Sequence, residues 1–274
     1  MRLGAHFSSA GGYQKLFEKA RAIGANALQL FSTSPRAWRS TDVSDSVAEG
    51  FKNLQKEFDV APVYFHASYL VNLADGGLVG EKSKESLIHE LRHAGRMGVK
   101  GSIIHLGSFK GKEPEYDTLF ANIHHILTET PKNTLFIIEN SGNRKIGLTL
   151  DEIGKIVNHI RHERVRVCLD TCHLFSAGYD ITDTKKLAIF LKNFDEKVGL
   201  DRLEVWHLND SRDPFSSYRD RHENIGAGTL GKDTFRALLN HPQMRGLPMI
   251  IETPGFDGQG PDKENLDILK SFIR

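Results

Sequence analysis

Eight short apolar runs recur along the chain, each stopped abruptly by a polar residue and followed by an amphipathic stretch. They cover residues 2–7, 27–32, 62–66, 102–105, 134–139, 165–170, 203–207 and 248–252, and are rich in Ile, Val, Leu and Phe. Near-continuous apolar strands separated by helical segments predict a parallel sheet buried on both faces. Eight such units in 274 residues predict an α/β fold, a (β/α)8 TIM barrel closed on itself, as a single domain over residues 1–274. An open doubly wound sheet is the alternative, but no Gly-x-Gly-x-x-Gly turn follows the first run.

The intervening stretches read as helices. Residues 12–23 place Leu16, Ala20 and Ile23 at helical spacing, and Gly24 is a stop signal. Residues 45–58 and 84–97 behave in the same way, and Thr149 with Glu152 forms a capping-box pattern at the start of another helix. Composition adds little to this picture. Lys+Arg number 36 against 35 Asp+Glu, which argues against a bulk polycation and leaves a local basic groove open. Cys168 and Cys172 are the two cysteines, a usage that fits a reducing compartment. The chain opens on a strand rather than a secretory leader, and no apolar run approaches a membrane span. These features predict a cytoplasmic protein.

In a barrel of this kind the chemistry sits at the C-terminal ends of the strands, so the residues that stop each run matter most. Strands three to five stop at His66, His105 and Glu139. Strand six stops at Asp170, with His173 three residues on. Strand seven stops at His207, and its loop carries Asp220 and His222, whose spacing of two points both side chains to one side of an extended segment. Strand eight stops at Glu252. One polar terminator is ordinary solvation, but six consecutive strands ending in His, Asp or Glu are not. Five imidazoles and four carboxylates at one mouth would repel and desolvate each other without cations. Imidazole with carboxylate suits zinc, and also manganese or iron, and nine donors exceed a single tetrahedral site. Two or three metals are implied, a set suited to phosphodiester displacement.

Other histidines read differently. His89-Glu90-Leu91-Arg92-His93 matches the zinc-protease pattern His-Glu-x-x-His, but Leu87, Leu91, Ala94 and Gly98 form the apolar stripe of that helix. His89 and His93 are therefore expected to face solvent. His124, His125, His159 and His162 are expected on outer surfaces, and His6, which ends the first strand and could line the mouth, is expected instead to be a buried hydrogen-bonded histidine.

The metal-donor residues, in their order, resemble the endonuclease IV family of apurinic/apyrimidinic (AP) endonucleases. The matching segments are GAHFSSAGG at 4–12, HASYLVNLA at 66–74, CLDTCHLFSAGYDI at 168–181, HLNDS at 207–211, DRHENIGAG at 220–228 and IETP at 251–254. The likeness runs over essentially the whole chain. It implies three zinc ions, with manganese able to substitute. His66, His105 and Glu139 would hold the first. Glu139, bridging, would hold the second with Asp170, His207 and Glu252, and His173, Asp220 and His222 would hold the third.

By the same resemblance the substrate is double-stranded DNA with abasic sites or blocked 3′ ends, acted on by a monomer. The backbone would be cut 5′ to the lesion through a hydroxide bridging the first two metals, leaving a 3′-hydroxyl and a 5′-deoxyribose phosphate. Glu139 would be the catalytic residue, positioning that nucleophile. Arg36, in a Ser-Pro-Arg-Ala-Trp loop, looks like the family's wedge arginine, and Tyr69 and Leu70 like its insertion pair, with Trp38 and Arg39 framing the loop. Two departures stand out. Asn140-Ser141-Gly142-Asn143-Arg144-Lys145 replaces the family's Asn-Thr-Ala-Gly loop, and Ala227 replaces a Glu. A metal-dependent sugar isomerase or epimerase on a related barrel is the alternative reading, but it has no use for a surplus metal site or for wedge residues. A non-catalytic binder of damaged DNA would be expected to lose metal ligands, and this chain has every one.

Overall fold

The computed structural model describes residues 1–38, 42–111 and 113–273. Arg39, one of the residues expected to frame the Arg36 loop, lies outside the described residues. The eight expected runs all form strands of one closed parallel barrel: β1 (Leu3–Phe7), β2 (Ala27–Phe31), β3 (Val63–His66), β4 (Gly101–Ile104), β5 (Leu135–Glu139), β6 (Val165–Asp170), β7 (Leu203–His207) and β10 (Met249–Ile251). Two further short strands, β8 (Asp210–Ser211) and β9 (His222–Glu223), pair antiparallel above β7. His105 and Glu252 fall one residue beyond their strands.

Around the barrel lie α1 (Tyr13–Ile23), α2 (Asp45–Glu57), α3 (Leu78–Met97), α4 (Asp117–Glu129), α5 (Leu150–Ile160), α6 (Thr171–Ser176), α7 (Thr184–Lys197), α8 (Lys232–Leu239) and α9 (Lys263–Ser271). Helix α1 ends where expected, on Gly24 in the left-handed conformation that costs glycine nothing. The capping box of α5 is half formed. Thr149 accepts from the Glu152 N–H, but the Glu152 carboxylate turns to the Gly147 N–H and the Tyr116 hydroxyl. Helix α3 starts six residues before the expected position 84, because Gly80 lets its first turn press onto the Asp75 carbonyl.

Side chains two residues apart point into the barrel in successive layers. One layer is Ala27, Tyr64, Ile103, Ile137, Cys168, Val205 and Ile250, all fully buried. Each lies two residues before Gln29, His66, His105, Glu139, Asp170, His207 and Glu252 respectively. The apolar layer is thus the floor on which the polar ring is built. A much larger apolar cluster fills the space between strands and helices. No helix among the described residues is long and apolar enough to cross a membrane.

Candidate metal centre

Parallel register brings the strand ends to one level: Asp170 pairs with His207, Phe31 with His66, and Gln29 with His6. All nine side chains singled out from the sequence meet at this mouth. His66, His105, His173, Asp220, His222 and Glu252 line an open cavity of about 430 Å3, together with His6, Phe31 and Tyr69. Glu139, Asp170 and His207 lie fully buried below.

Glu139 sits at the centre. Its Oε2 faces His66 Nε2 at 3.1 Å and His105 Nε2 at 3.2 Å. Its Oε1 faces His207 Nδ1 at 3.0 Å and His173 Nδ1 at 3.3 Å. On the second side, His207 Nδ1 also lies 3.4 Å from Glu252 Oε2 and 3.8 Å from Asp170 Oδ2. A third set gathers at the rim, where Asp220 Oδ1 is 2.9 Å from His173 Nε2 and 3.4 Å from His222 Nε2. His66–His105–Glu139 and His173–Asp220–His222 each bring three donor atoms within 4.8 Å of one another.

The ligand test rests on the rim set. His173 Nε2 and His222 Nε2 are both buried and lack a hydrogen bond of acceptable geometry, although each faces the Asp220 carboxylate. Two buried lone-pair donors and a carboxylate converging without hydrogen-bonding each other fit a shared cation. The tautomers agree. His173 Nδ1 is 3.0 Å from the Asn140 carbonyl and His66 Nδ1 is 2.9 Å from the Ala67 carbonyl, so each can donate there and turn its Nε2 toward a carboxylate, Asp220 and Glu139 respectively.

Charge in the centre is balanced by protons. Burial opposes the charge on Glu139, yet His105 and His207 hold its carboxyl well below the usual range. Burial works against His173 and His207 as imidazolium too. Asp170 and Asp220 hold the first well above its ordinary value, and Glu252 and Glu139 the second. His105 is pushed down to about 4 by burial, with Glu139 opposing. The two cysteines border the site without joining it as thiolates, since burial pushes both thiols up to about 12.

Three supporting residues escaped the sequence reading. Gln29 Oε1 lies 2.8 Å from His207 Nε2, and Gln29 Nε2 reaches Glu252 Oε1 and His6 Nδ1. Asn209 donates to Asp170 Oδ2 at 2.6 Å and accepts from the Glu252 N–H. Asn140 accepts from the Asp170 N–H. Asp170 Oδ1 in turn caps α6 through the His173 N–H, which fixes the spacing between those two residues. His6 lines the cavity and meets Gln29, so it stands at the mouth as well as being hydrogen-bonded.

The loop that supplies Asp220 and His222 is tied to Asp213. Arg221 Nε donates to Asp213 Oδ2 at 2.6 Å and Nη2 reaches its other oxygen. The divergent loop after Glu139 is equally anchored. Gly142 accepts from Ser176 Oγ through its carbonyl, and a Cβ there would meet Ser176 Oγ at 2.7 Å and His173 Cα at 3.0 Å, so no larger residue fits. Arg144 lies over the Tyr218 ring. Ala227 is exposed in a turn closed by its N–H on the Asn224 carbonyl.

At the rim, Tyr69 is 61% exposed and Leu70 37%, so neither is packed into the core. Their loop is joined to the Arg36 loop through the Pro35 carbonyl, which accepts from the Tyr69 N–H and from Ser68 Oγ. Arg36 is exposed beside them. The expectation that His89 and His93 face solvent is overturned for His93, which is 5% exposed. The loop before α2 covers that face of α3, placing Asp42 against both imidazoles.

Comparison with known proteins agrees with this architecture. The family model described as xylose isomerase-like TIM barrel matches residues 17–272. A protein of Persephonella marina named probable endonuclease 4 is 36% identical, covering 100% of this chain and 98% of that protein. Another of the same name from Halothermothrix orenii is 37% identical over 98% of this chain and 99% of its own. The crystal structure of endonuclease IV from Thermus thermophilus superposes with a TM-score of 0.88 at 33% identity, covering 99% and 98% of the two chains. A 3-keto-D-glucoside 4-epimerase of E. coli also superposes, at 0.72 over 99% of both chains, but with 15% identity that likeness shows the fold alone. Its full-length likeness to these relatives places the chain in the endonuclease IV family of xylose isomerase-like TIM barrels.

Proposed function

We propose that this chain is a DNA-repair endonuclease that hydrolyses the backbone on the 5′ side of abasic sites, leaving a 3′-hydroxyl and a 5′-deoxyribose phosphate. The same site would remove blocking groups from 3′ ends. The observation that carries the reading is the nine-donor mouth built around Glu139, on a chain whose full-length relatives are named endonuclease 4. Three zinc ions, or manganese in their place, suit this donor set of imidazole and carboxylate. His66, His105 and Glu139 would hold the first, Glu139, Asp170, His207 and Glu252 the second, and His173, Asp220 and His222 the third. When bound, the metals would supply Lewis-acid stabilisation of the phosphate charge and lower the pKa of a coordinated water.

The chain's own residues do the rest. Glu139 presents one oxygen to His66 and His105 and the other to His207 and His173, so its carboxylate would serve the first and second sites together. Full burial on the Ile137 layer keeps it from rotating or exchanging with solvent. Gln29, Asn209 and Asn140 hold the ligating groups in single orientations.

An abasic sugar must leave the helix stack to reach a cavity this deep, and proteins that open a duplex often insert side chains into it. Tyr69 and Leu70, exposed at the cavity rim, and Arg36 on the adjoining loop suit that role. A sugar epimerase on the same barrel would leave the His173–Asp220–His222 set and this rim without a task.

The test is a labelled duplex carrying one reduced abasic site, which resists β-elimination. Cleavage directly 5′ of the lesion, yielding an end that a polymerase extends, is the expected result. A metal-loaded protein that leaves the duplex whole rejects the reading.

A further inference from the structure

The helix α3 carries a second constellation, on the outer wall of the barrel and apart from the mouth. His89 Nε2 lies 3.1 Å from Asp42 Oδ1, and His93 Nε2 lies 3.6 Å from the same oxygen. The two rings are 3.9 Å apart between centroids. All three donor atoms fall within 4.8 Å of one another. A tetrahedral ion with bonds of about 2.0–2.1 Å would separate its ligands by roughly 3.3 Å, between the two distances seen here. Histidines four apart share one helix face, an arrangement that suits a chelating pair.

We propose that Asp42, His89 and His93 form a separate binding site for a divalent transition metal of the imidazole-preferring class, such as zinc or nickel. The ion would cross-link α3 to the segment that leads into α2, joining residues 47 apart in sequence. Two imidazoles and one carboxylate leave a position for water, as expected of an exchangeable site. The three ligands also match how the side chains are placed: His93 is nearly buried, His89 a quarter exposed, and Asp42 closes the set from the solvent side.

The same geometry excludes peptidase chemistry, despite the His-Glu-x-x-His spelling. Glu90 turns away from the imidazoles into the protein, where its two oxygens accept from Ser32 Oγ and Ser102 Oγ. It is 5% exposed and cannot reach a water on an ion held by His89 and His93. Glu90 is a structural anchor for α3, and the site is one of binding rather than catalysis.

The test uses the full-length protein and zinc or nickel alone. Wild-type protein, freed of metal and then equilibrated with excess zinc, is weighed by native mass spectrometry beside His89→Gln, His93→Gln and Asp42→Asn. The wild type should hold one ion more than the histidine variants, and nickel titration should show an affinity at least tenfold weaker in each variant. Equal stoichiometry and equal nickel affinity in wild type and His89→Gln would overturn the proposal. If His93→Gln fails to fold, His89→Gln and Asp42→Asn decide the matter, since both positions are partly or fully exposed. Because the count concerns α3 and not the mouth, its failure would leave the nuclease reading standing, and the reverse also holds.

Discussion

The Nε2 of His207 lies 2.8 Å from the side-chain oxygen of Gln29, across the barrel mouth from the strand that carries the histidine. An amide oxygen accepts only, so this contact places the His207 proton on Nε2 and turns Nδ1 toward Glu139, Asp170 and Glu252. The amide nitrogen of the same side chain holds Glu252. Gln29→Met keeps the volume and removes both constraints. Metal affinity at the central site should fall by about 10–100-fold, the usual effect of losing an outer-shell partner. Zinc titration checks this, with far-UV circular dichroism unchanged.

Asp213 governs the rim in a comparable way, from outside the cavity. Its carboxylate clamps Arg221, the residue between Asp220 and His222. In Asp213→Asn the fork-to-fork pairing is lost, and the loop that carries two of the three rim donors loosens. The expected outcome is that one metal equivalent dissociates during dialysis that leaves the wild type fully loaded. Metal analysis before and after dialysis reads it.

Much of this centre was legible in the sequence, because a strand that is apolar to its last residue advertises the polar group that ends it. His66, Glu139, Asp170 and His207 are strand-terminal for that reason. Gln29 was not found, although it stands at the same level. The stagger of a barrel pairs Gln29 with His6 while β2 runs on to Phe31, which pairs with His66, so the polar residue lies inside an apolar run. Its signal was a lone Gln at an inward position, two after Ala27. Asp213 and Arg221 gave no signal, since their pairing depends on a loop path that periodicity does not encode. His93 was misplaced for a related reason. Helical spacing gives its angle about α3, but the loop carrying Asp42 is what buries it.

Metal uptake should release protons and weaken in acid. Asp170 and Asp220 raise the pKa of His173, and Glu252 and Glu139 that of His207, against the opposing effect of burial, so protons compete with a metal for both imidazoles. Lowering the pH keeps these imidazoles charged and opposes binding, and raising it through their elevated values removes the competition. Calorimetric titration in two buffers of different ionisation enthalpy should show proton release, with zinc affinity rising between pH 6 and 8. A pH-independent affinity would contradict this account of the charge balance.

The exposed pair at the rim should matter for DNA and not for metal. Arg36→Ala removes an exposed side chain, so stability should change by no more than about 0.5 kcal/mol, and Tyr69→Ala loses in addition the ring contacts with Phe31 and His66. Metal content should equal that of the wild type. Affinity for a duplex with an abasic site should fall by about tenfold or more in each, while affinity for intact duplex changes less. Gel-shift titrations on the two duplexes read the difference.

Glu139 and the eight side chains gathered with it are proposed to form a metal centre that cuts DNA at abasic sites. Zinc added stepwise to metal-free protein, with incision of a reduced abasic duplex followed at each step, tests it most directly. No incision is expected without metal, full incision once the mouth is filled, and at least a hundredfold loss in Glu139→Gln at every zinc level. Incision by the metal-free protein, or an intact duplex in the presence of fully loaded wild type, would contradict it.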